Sequence, residues 1–150
     1  MKIRRYNPTD FVSVSNLFCD TVNCVNAADY TREQLTAWIE NSNRLEEKRG
    51  DLSKQFTLIA EYCGKIVGFG SIDENGYLDL LFVHKDYQNQ GIASALCDKL
   101  EKDFLVITAY ASITAKPFFE KRGYVIIKEQ EVECLGVKLK NFKMQKIKAD

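Results

Sequence analysis

Leu78 to Leu100 reads LDLLFVHKDYQNQGIASALCDKL. The run is apolar through Val83, breaks into charged and amide residues, crosses one glycine at position 91, and resumes at helical spacing through Ile92, Ala95, Leu96 and Leu100. That pattern predicts a buried strand joined to a helix by a polar loop. A strand entering a helix through QNQGIA, residues 88–93, leaves the first backbone N–H groups of the helix without internal partners and adds the positive end of its dipole. Such a terminus suits phosphate. Gly91 lets the chain come close to a ligand where a Cβ would block it, Ala93 keeps the first turn slim, and Gln88 can donate without adding charge. An ordinary strand-to-helix turn accounts for the same residues, so the loop alone does not decide.

Upstream, KIRRY predicts a short first strand, and NPTD supplies a cap and a proline before a helix with Phe11, Val14, Leu17, Phe18 and Val22 on one face. Thr31, with Gln34 three residues on, makes a capping box for a second helix through Leu35, Trp38 and Ile39. Residues 41–55 are polar and lack a sustained apolar stripe, which predicts mostly surface loop. FTLIAEY, IVGFGSID and YLDLLFV, separated by CGK and ENG turns, predict an antiparallel meander. Downstream, FLVITAY (104–110) predicts a strand buried on both faces, ASITAKPFFEKRG a helix with Ser112 or Thr114 near its cap and Gly123 at its stop, and the rest a hairpin around 135–137. The order β-α-α-β-β-β-α-β-α-β-β describes one mixed α/β domain spanning 1–150.

A chain of 150 residues, 45% of them apolar, can bury a core without disulfides or metal. Its 21 basic and 21 acidic residues cancel, so no whole-molecule field draws in nucleic acid or an anionic membrane. The N-terminus lacks the apolar segment of a signal peptide, and no run approaches the ~18 apolar residues of a membrane span; a cytoplasmic protein is expected. The five cysteines are odd in number and include no C-x-x-C pair, which argues against a disulfide frame or a zinc site and predicts reduced, structural thiols.

Gln88, Gly91 and Ala93 fit a Q/R-x-x-G-x-G/A motif, and AKPFFEKRGY (115–124) is similar to a second signature, A-x-x-x-Y-x-x-x-G-F. With both in order and at matching spacing, the chain resembles the GCN5-related N-acetyltransferases from the first strand to NFKM at 141–144. The resemblance implies a central sheet flanked by helices, splayed between the fourth and fifth strands, with acetyl-coenzyme A as acetyl donor. It places the backbone of Leu81, Phe82 and Val83 along the acetyl and pantetheine arm, and Gln88, Asn89, Gln90, Gly91, Ile92, Ala93 and Ser94 around the pyrophosphate. Ser112 stands where many members carry an asparagine that contacts the cofactor arm. The family often pairs as homodimers, which makes a homodimer an expected assembly.

Acetyl transfer to an amine needs a neutral amine, stabilised charge on the thioester oxygen, and an exit for the thiolate. A primary alkylamine has a pKa near ~10.4, so it must give up a proton before attack. Asp79, an acid inside the apolar run 77–83, resembles the acidic residue that some polyamine acetyltransferases carry there and is the candidate base; pairing with a neighbouring cation or facing solvent are the alternatives. A backbone N–H of Phe82 or Val83 can polarise the oxygen. Many relatives use a tyrosine as general acid where this chain has Phe119, which donates nothing. Tyr110 or Tyr124 can substitute, though an aromatic at either place also serves packing. His84, the sole histidine, fits a loop role better than catalysis, Trp38 fits the core, and Asp29 and Tyr30 are expected to be exposed and to meet substrate. The expected activity is N-acetyl transfer to a primary amine of a small molecule or protein by direct attack; the alternative, fed by Phe119, is an acyl-coenzyme A binding module that has lost transfer.

Overall fold

A computed structural model describes residues 1–41 and 49–148. Asn7 opens the helical part by accepting the Thr9 N–H at 3.0 Å while Asp10 accepts the Asn7 N–H at 2.8 Å, so a single turn over Pro8–Asp10 delivers the chain into a helix with its first donors satisfied. In chain order the elements are β1 (Lys2–Arg5), α1 (Phe11–Cys24), α2 (Arg32–Glu40), α3 (Arg49–Lys54), β2 (Phe56–Tyr62), β3 (Lys65–Ile72), β4 (Tyr77–Val83), α4 (Ile92–Leu100), β5 (Val106–Ser112), α5 (Lys116–Lys121), β6 (Val125–Cys134) and β7 (Val137–Ile147). The strands form one sheet in the order β1-β2-β3-β4-β5-β7-β6. Every neighbouring pair is antiparallel except β4 and β5.

Two expectations need correction. Part of the segment read as loop, 41–55, is the short helix α3, whose Leu52 is buried; six residues are too few to leave a periodic trace. The remainder, 42–48, lies outside the described residues. Strand β5 is not buried on both faces: Ile107, Ala109 and Ala111 point into the core, whereas Val106 and Tyr110 are exposed. The apolar run hid an alternation because Val106 and Tyr110 are apolar or aromatic residues placed outward.

The sheet divides the interior. On the side of α4 and α5, Leu96 and Leu100 of α4 pack with Val67, Ile72, Ile107 and Met144 of the sheet. On the other side α1 and α2 cover Ile59 and Phe69 with Val14, Phe18, Val22 and Leu35, and the Phe82 ring meets Phe18 edge-on at 4.9 Å.

What positions the site is a break in register. Against β3, Leu80 pairs with Ser71 but Leu78 pairs with Ile72, so Asp79 is an extra, unopposed residue, a β-bulge. On its other edge β4 meets β5 for only two rungs, Tyr77 with Thr108 and Leu78 with Ala109. From the bulge onward the two strands separate, as the splay between the fourth and fifth strands requires.

Both ends of this arrangement are tied down. Gly76, in the turn before β4 with φ +81°, accepts the Thr108 N–H at 3.0 Å, and a Cβ on it would lie 2.5 Å from the Val106 carbonyl oxygen. At the far end of α4, the buried Glu101 carboxylate accepts from Arg122 Nε and Nη2 at 3.0 and 2.9 Å, Tyr124 OH at 2.7 Å and Lys146 Nζ at 3.1 Å. Burial pushes the Glu101 pKa up, but the bonds from Arg122 and Tyr124 outweigh it and hold the carboxyl below its usual range. Burial, then the bond to Glu101, pushes the Tyr124 hydroxyl far above its ordinary value.

Gly76→Ala is expected to destabilise the chain by at least about 2 kcal/mol in urea unfolding, since it adds both a clash and a strained φ. A carboxyl with a depressed folded pKa stabilises above its unfolded pKa, near ~4.3, and loses that stability as pH falls through the folded value. Glu101→Gln should therefore cost about 3 kcal/mol at pH 7 and flatten the loss of stability of the wild type below about pH 4.

Candidate active site

Beyond the bulge, the separated strands frame a cleft of about 490 Å³ whose walls are Leu81–Val83 of β4, the loop into α4, and the segment from Ser112 to Phe118. His84 shapes that loop: its Nδ1 accepts the Asp86 N–H at 3.1 Å and starts one tight turn over Lys85–Tyr87. The histidine is thus a cap. Gln88 then turns back, donating its Nε2 to the Val83 carbonyl at 2.6 Å, the same oxygen that Thr21 Oγ1 reaches at 3.3 Å. Its donor thus braces the loop against the strand.

Two residues of the loop, Asn89 (φ +59°) and Gly91 (φ +82°), are left-handed. A Cβ on Gly91 would meet no protein atom within 4 Å, so its dihedral rather than crowding selects glycine, and the space beside it stays open. The first bond inside α4 runs from Ala95 N to Gly91 O. Ile92, Ala93 and Ser94 come before it, so their N–H groups have no partner within the helix, and all three line the cleft.

The structure brings Leu81, Phe82, Val83, Gln88, Asn89, Gly91, Ile92, Ala93, Ser94 and Ser112 to this one cleft; Gln90 is exposed and does not line it. Sequence reasoning missed Thr21 on α1 and Asn26 just after it, Tyr87, and Phe118 and Lys121 on α5. Lys121 was recoverable, since it is a cation within the second signature; Thr21 and Asn26 reach the cleft only through tertiary packing. Ser112 is held in place: its Oγ accepts from Ala115 N at 3.0 Å and from Asn26 Nδ2 at 3.4 Å.

The other candidates stand elsewhere. Asp79 lies at the bulge, lining neither cavity, and its charge and hydrogen bond act on Tyr77, another residue the sequence did not single out. Burial first, then Asp79, pushes the Tyr77 hydroxyl to about 12. The Tyr77 ring meets Tyr110 edge-on at 5.6 Å. Tyr124 is committed to Glu101 and is no candidate acid. Phe119 is core, packed on Tyr124 at 4.9 Å. Burial pushes the Cys97 thiol to about 12, far from a nucleophile's range.

Asp29 and Tyr30, expected to be exposed together, part company. Asp29 is exposed and accepts from Thr114 Oγ1 at 2.8 Å. Tyr30 is buried: its hydroxyl donates to the Lys140 carbonyl at 2.6 Å and accepts the Ile113 N–H at 2.9 Å, stitching the approach to α2 across β5 and β7. Proximity of Asp29 in sequence masked this, because a tyrosine can bury its ring while keeping its hydroxyl bonded.

Tyr30 also walls a second, smaller cavity of about 150 Å³, with Trp38 and Tyr110 among its lining. Trp38 is half-buried there rather than sealed in the core. Ser112 lines both cavities. On the small cavity's floor the Asn141 Oδ1 is buried with no hydrogen-bond partner among the described residues, a state that costs about 1–3 kcal/mol.

Among the described residues no helix is long and apolar enough to cross a membrane. Residues 26–146 match the family model of the acetyltransferase (GNAT) domain. The chain is 39% identical over 146 residues to an uncharacterized N-acetyltransferase, YafP, of Escherichia coli (strain K12), covering 97% of this chain and 95% of that one. A crystal structure of a GCN5-related N-acetyltransferase from Rhodopseudomonas palustris superposes with a TM-score of 0.92 at 35% identity, over 97% of this chain and 94% of that one. PaiA N-acetyltransferase from Thermoplasma acidophilum, solved in complex with coenzyme A, shares the fold at a TM-score of 0.78 and 18% identity, over 98% of each chain. The chain belongs to the GNAT acetyltransferases, enzymes that take their acetyl group from acetyl-coenzyme A.

Proposed function

We propose that this chain acetylates a primary amine, of a small molecule or a protein, by direct attack of the amine on acetyl-coenzyme A in the cytoplasm. The observation that carries the reading is the cleft beside the bulge, because strand backbone and an uncapped helix start open onto the same space. Bound there, the donor supplies an activated thioester, and the residues present suit it.

The N–H groups of Ile92, Ala93 and Ser94, with the dipole of α4, hold the pyrophosphate. Gln88 braces the loop against β4 and stands at the pyrophosphate end of the cleft, and Lys121 adds positive charge at the cleft wall. Of the two candidate donors on β4, Val83 is the better placed. Its carbonyl already faces the cleft side, toward Gln88 and Thr21, and in an extended strand a residue's N–H points the same way as its C=O. A donor preset in this manner is worth about 3 kcal/mol in the transition state.

Asp79 takes the amine's proton through water or draws the cationic amine inward; its place at the bulge puts it where β4 and β5 diverge. Tyr110, exposed beside Tyr77, is the proposed general acid for the leaving thiolate, in place of the missing tyrosine at 119.

Three outcomes are expected. Gly91→Glu abolishes binding of acetyl-coenzyme A in calorimetry, because it sets both a strained φ and a negative charge against the pyrophosphate; unchanged affinity refutes the loop assignment. Asp79→Asn lowers turnover at neutral pH at least tenfold, measured as coenzyme A release with a panel of amines, and near-normal rates remove it from the mechanism. A panel that gives no coenzyme A release while acetyl-coenzyme A binds overturns the transferase reading.

A further inference from the structure

We propose that the smaller cavity seats the body of the acceptor, and that the acceptor is a primary amine joined by a short alkyl tether to a single six-membered apolar ring. The inference rests on the acetyl-transfer reading for the fate of the amine, but the cavity argues for its occupant independently. At about 150 Å³ it offers the room of an apolar protein cavity that accepts benzene, enough to seat one six-membered ring.

Its chemistry selects further. Tyr30 and Trp38 stand edge-to-face at 5.4 Å, and with Tyr110, Val132 and Leu139 they present ring faces and branched alkyl groups. Among the described residues no acidic side chain lines it, and the charged one that does, Lys140, is a cation whose ammonium is already bound to Glu129. The distal ammonium of a diamine would find no carboxylate and an unfavourable neighbour there, whereas an uncharged ring loses only water. Because Ser112 lines both cavities, an amine tethered to a ring in the small one emerges beside the acetyl end of the large one.

Trp38 is the sole tryptophan of the chain, so its fluorescence reports occupancy without requiring chemistry. Phenethylamine, n-propylamine and putrescine are titrated into the full chain, and the same amines are compared as acceptors. Expected are a saturable change in emission with phenethylamine and not with n-propylamine, and a kcat/KM for phenethylamine at least tenfold above both others. Cys134→Phe, which places a ring in the cavity from within, should erase that preference. Emission indifferent to phenethylamine, equal or greater use of putrescine, or a preference that survives Cys134→Phe each overturns the proposal. If emission responds while no amine releases coenzyme A, the cavity assignment holds and the acetyl-transfer reading falls.

Discussion

One inserted residue governs the architecture around the site. A regular β4 would continue its parallel ladder with β5 and bury the space that the cleft occupies. With Asp79 unopposed, the strand swings away after two rungs, and the backbone groups that a neighbouring strand would consume stay available. Exposed strand edges in the middle of a sheet are costly unless something compensates them. Here part of the compensation is internal: Gln88 and Thr21 both spend donors on the Val83 carbonyl. The rest is left for a ligand whose own amides and phosphates can complete the pairing.

The remaining elements hold that opening at a set width. On one side Phe82 is clamped between Phe18 and Phe69, so the strand cannot slide back toward β5 without emptying the core beneath α1. On the other, Gly76 pulls the start of β5 against the turn before β4. The strands are fastened at one end and wedged at the other, which makes the cleft a property of the fold rather than of the ligand.

Much of this was legible in the sequence, for physical reasons that differ by element. The meander of β2 to β4 announced itself through alternation and turn residues, and the cap in NPTD and the capping box at Thr31 mark real starts. The expected cleft residues came from the family resemblance, whose first motif falls in the span Leu81 to Ser94 that carries most of the lining. What stayed hidden depends on distance in the chain. The burial of Tyr30 is decided by carbonyl and amide partners more than 80 residues away, at Lys140 and Ile113. The bulge at Asp79 was read only as an acid in an apolar run, because register against a partner strand is not written in either strand alone. The bond from Gln88 to the Val83 carbonyl was likewise hidden, since it depends on where that carbonyl comes to rest.

The knot of charge around Glu101 bears on how the molecule breathes. It joins the last turn of α4 to Arg122 after α5 and to Lys146 on β7, and releasing any one of these leaves a carboxylate in a nearly dry interior with too few counterions. The three segments therefore open as a single cooperative unit rather than fraying one by one. A helix anchored in this way at its rear moves with the sheet through ordinary fluctuations, so the bonded amides from Ala95 onward would exchange with solvent deuterium at the rate of the whole unit and not of the loop before them.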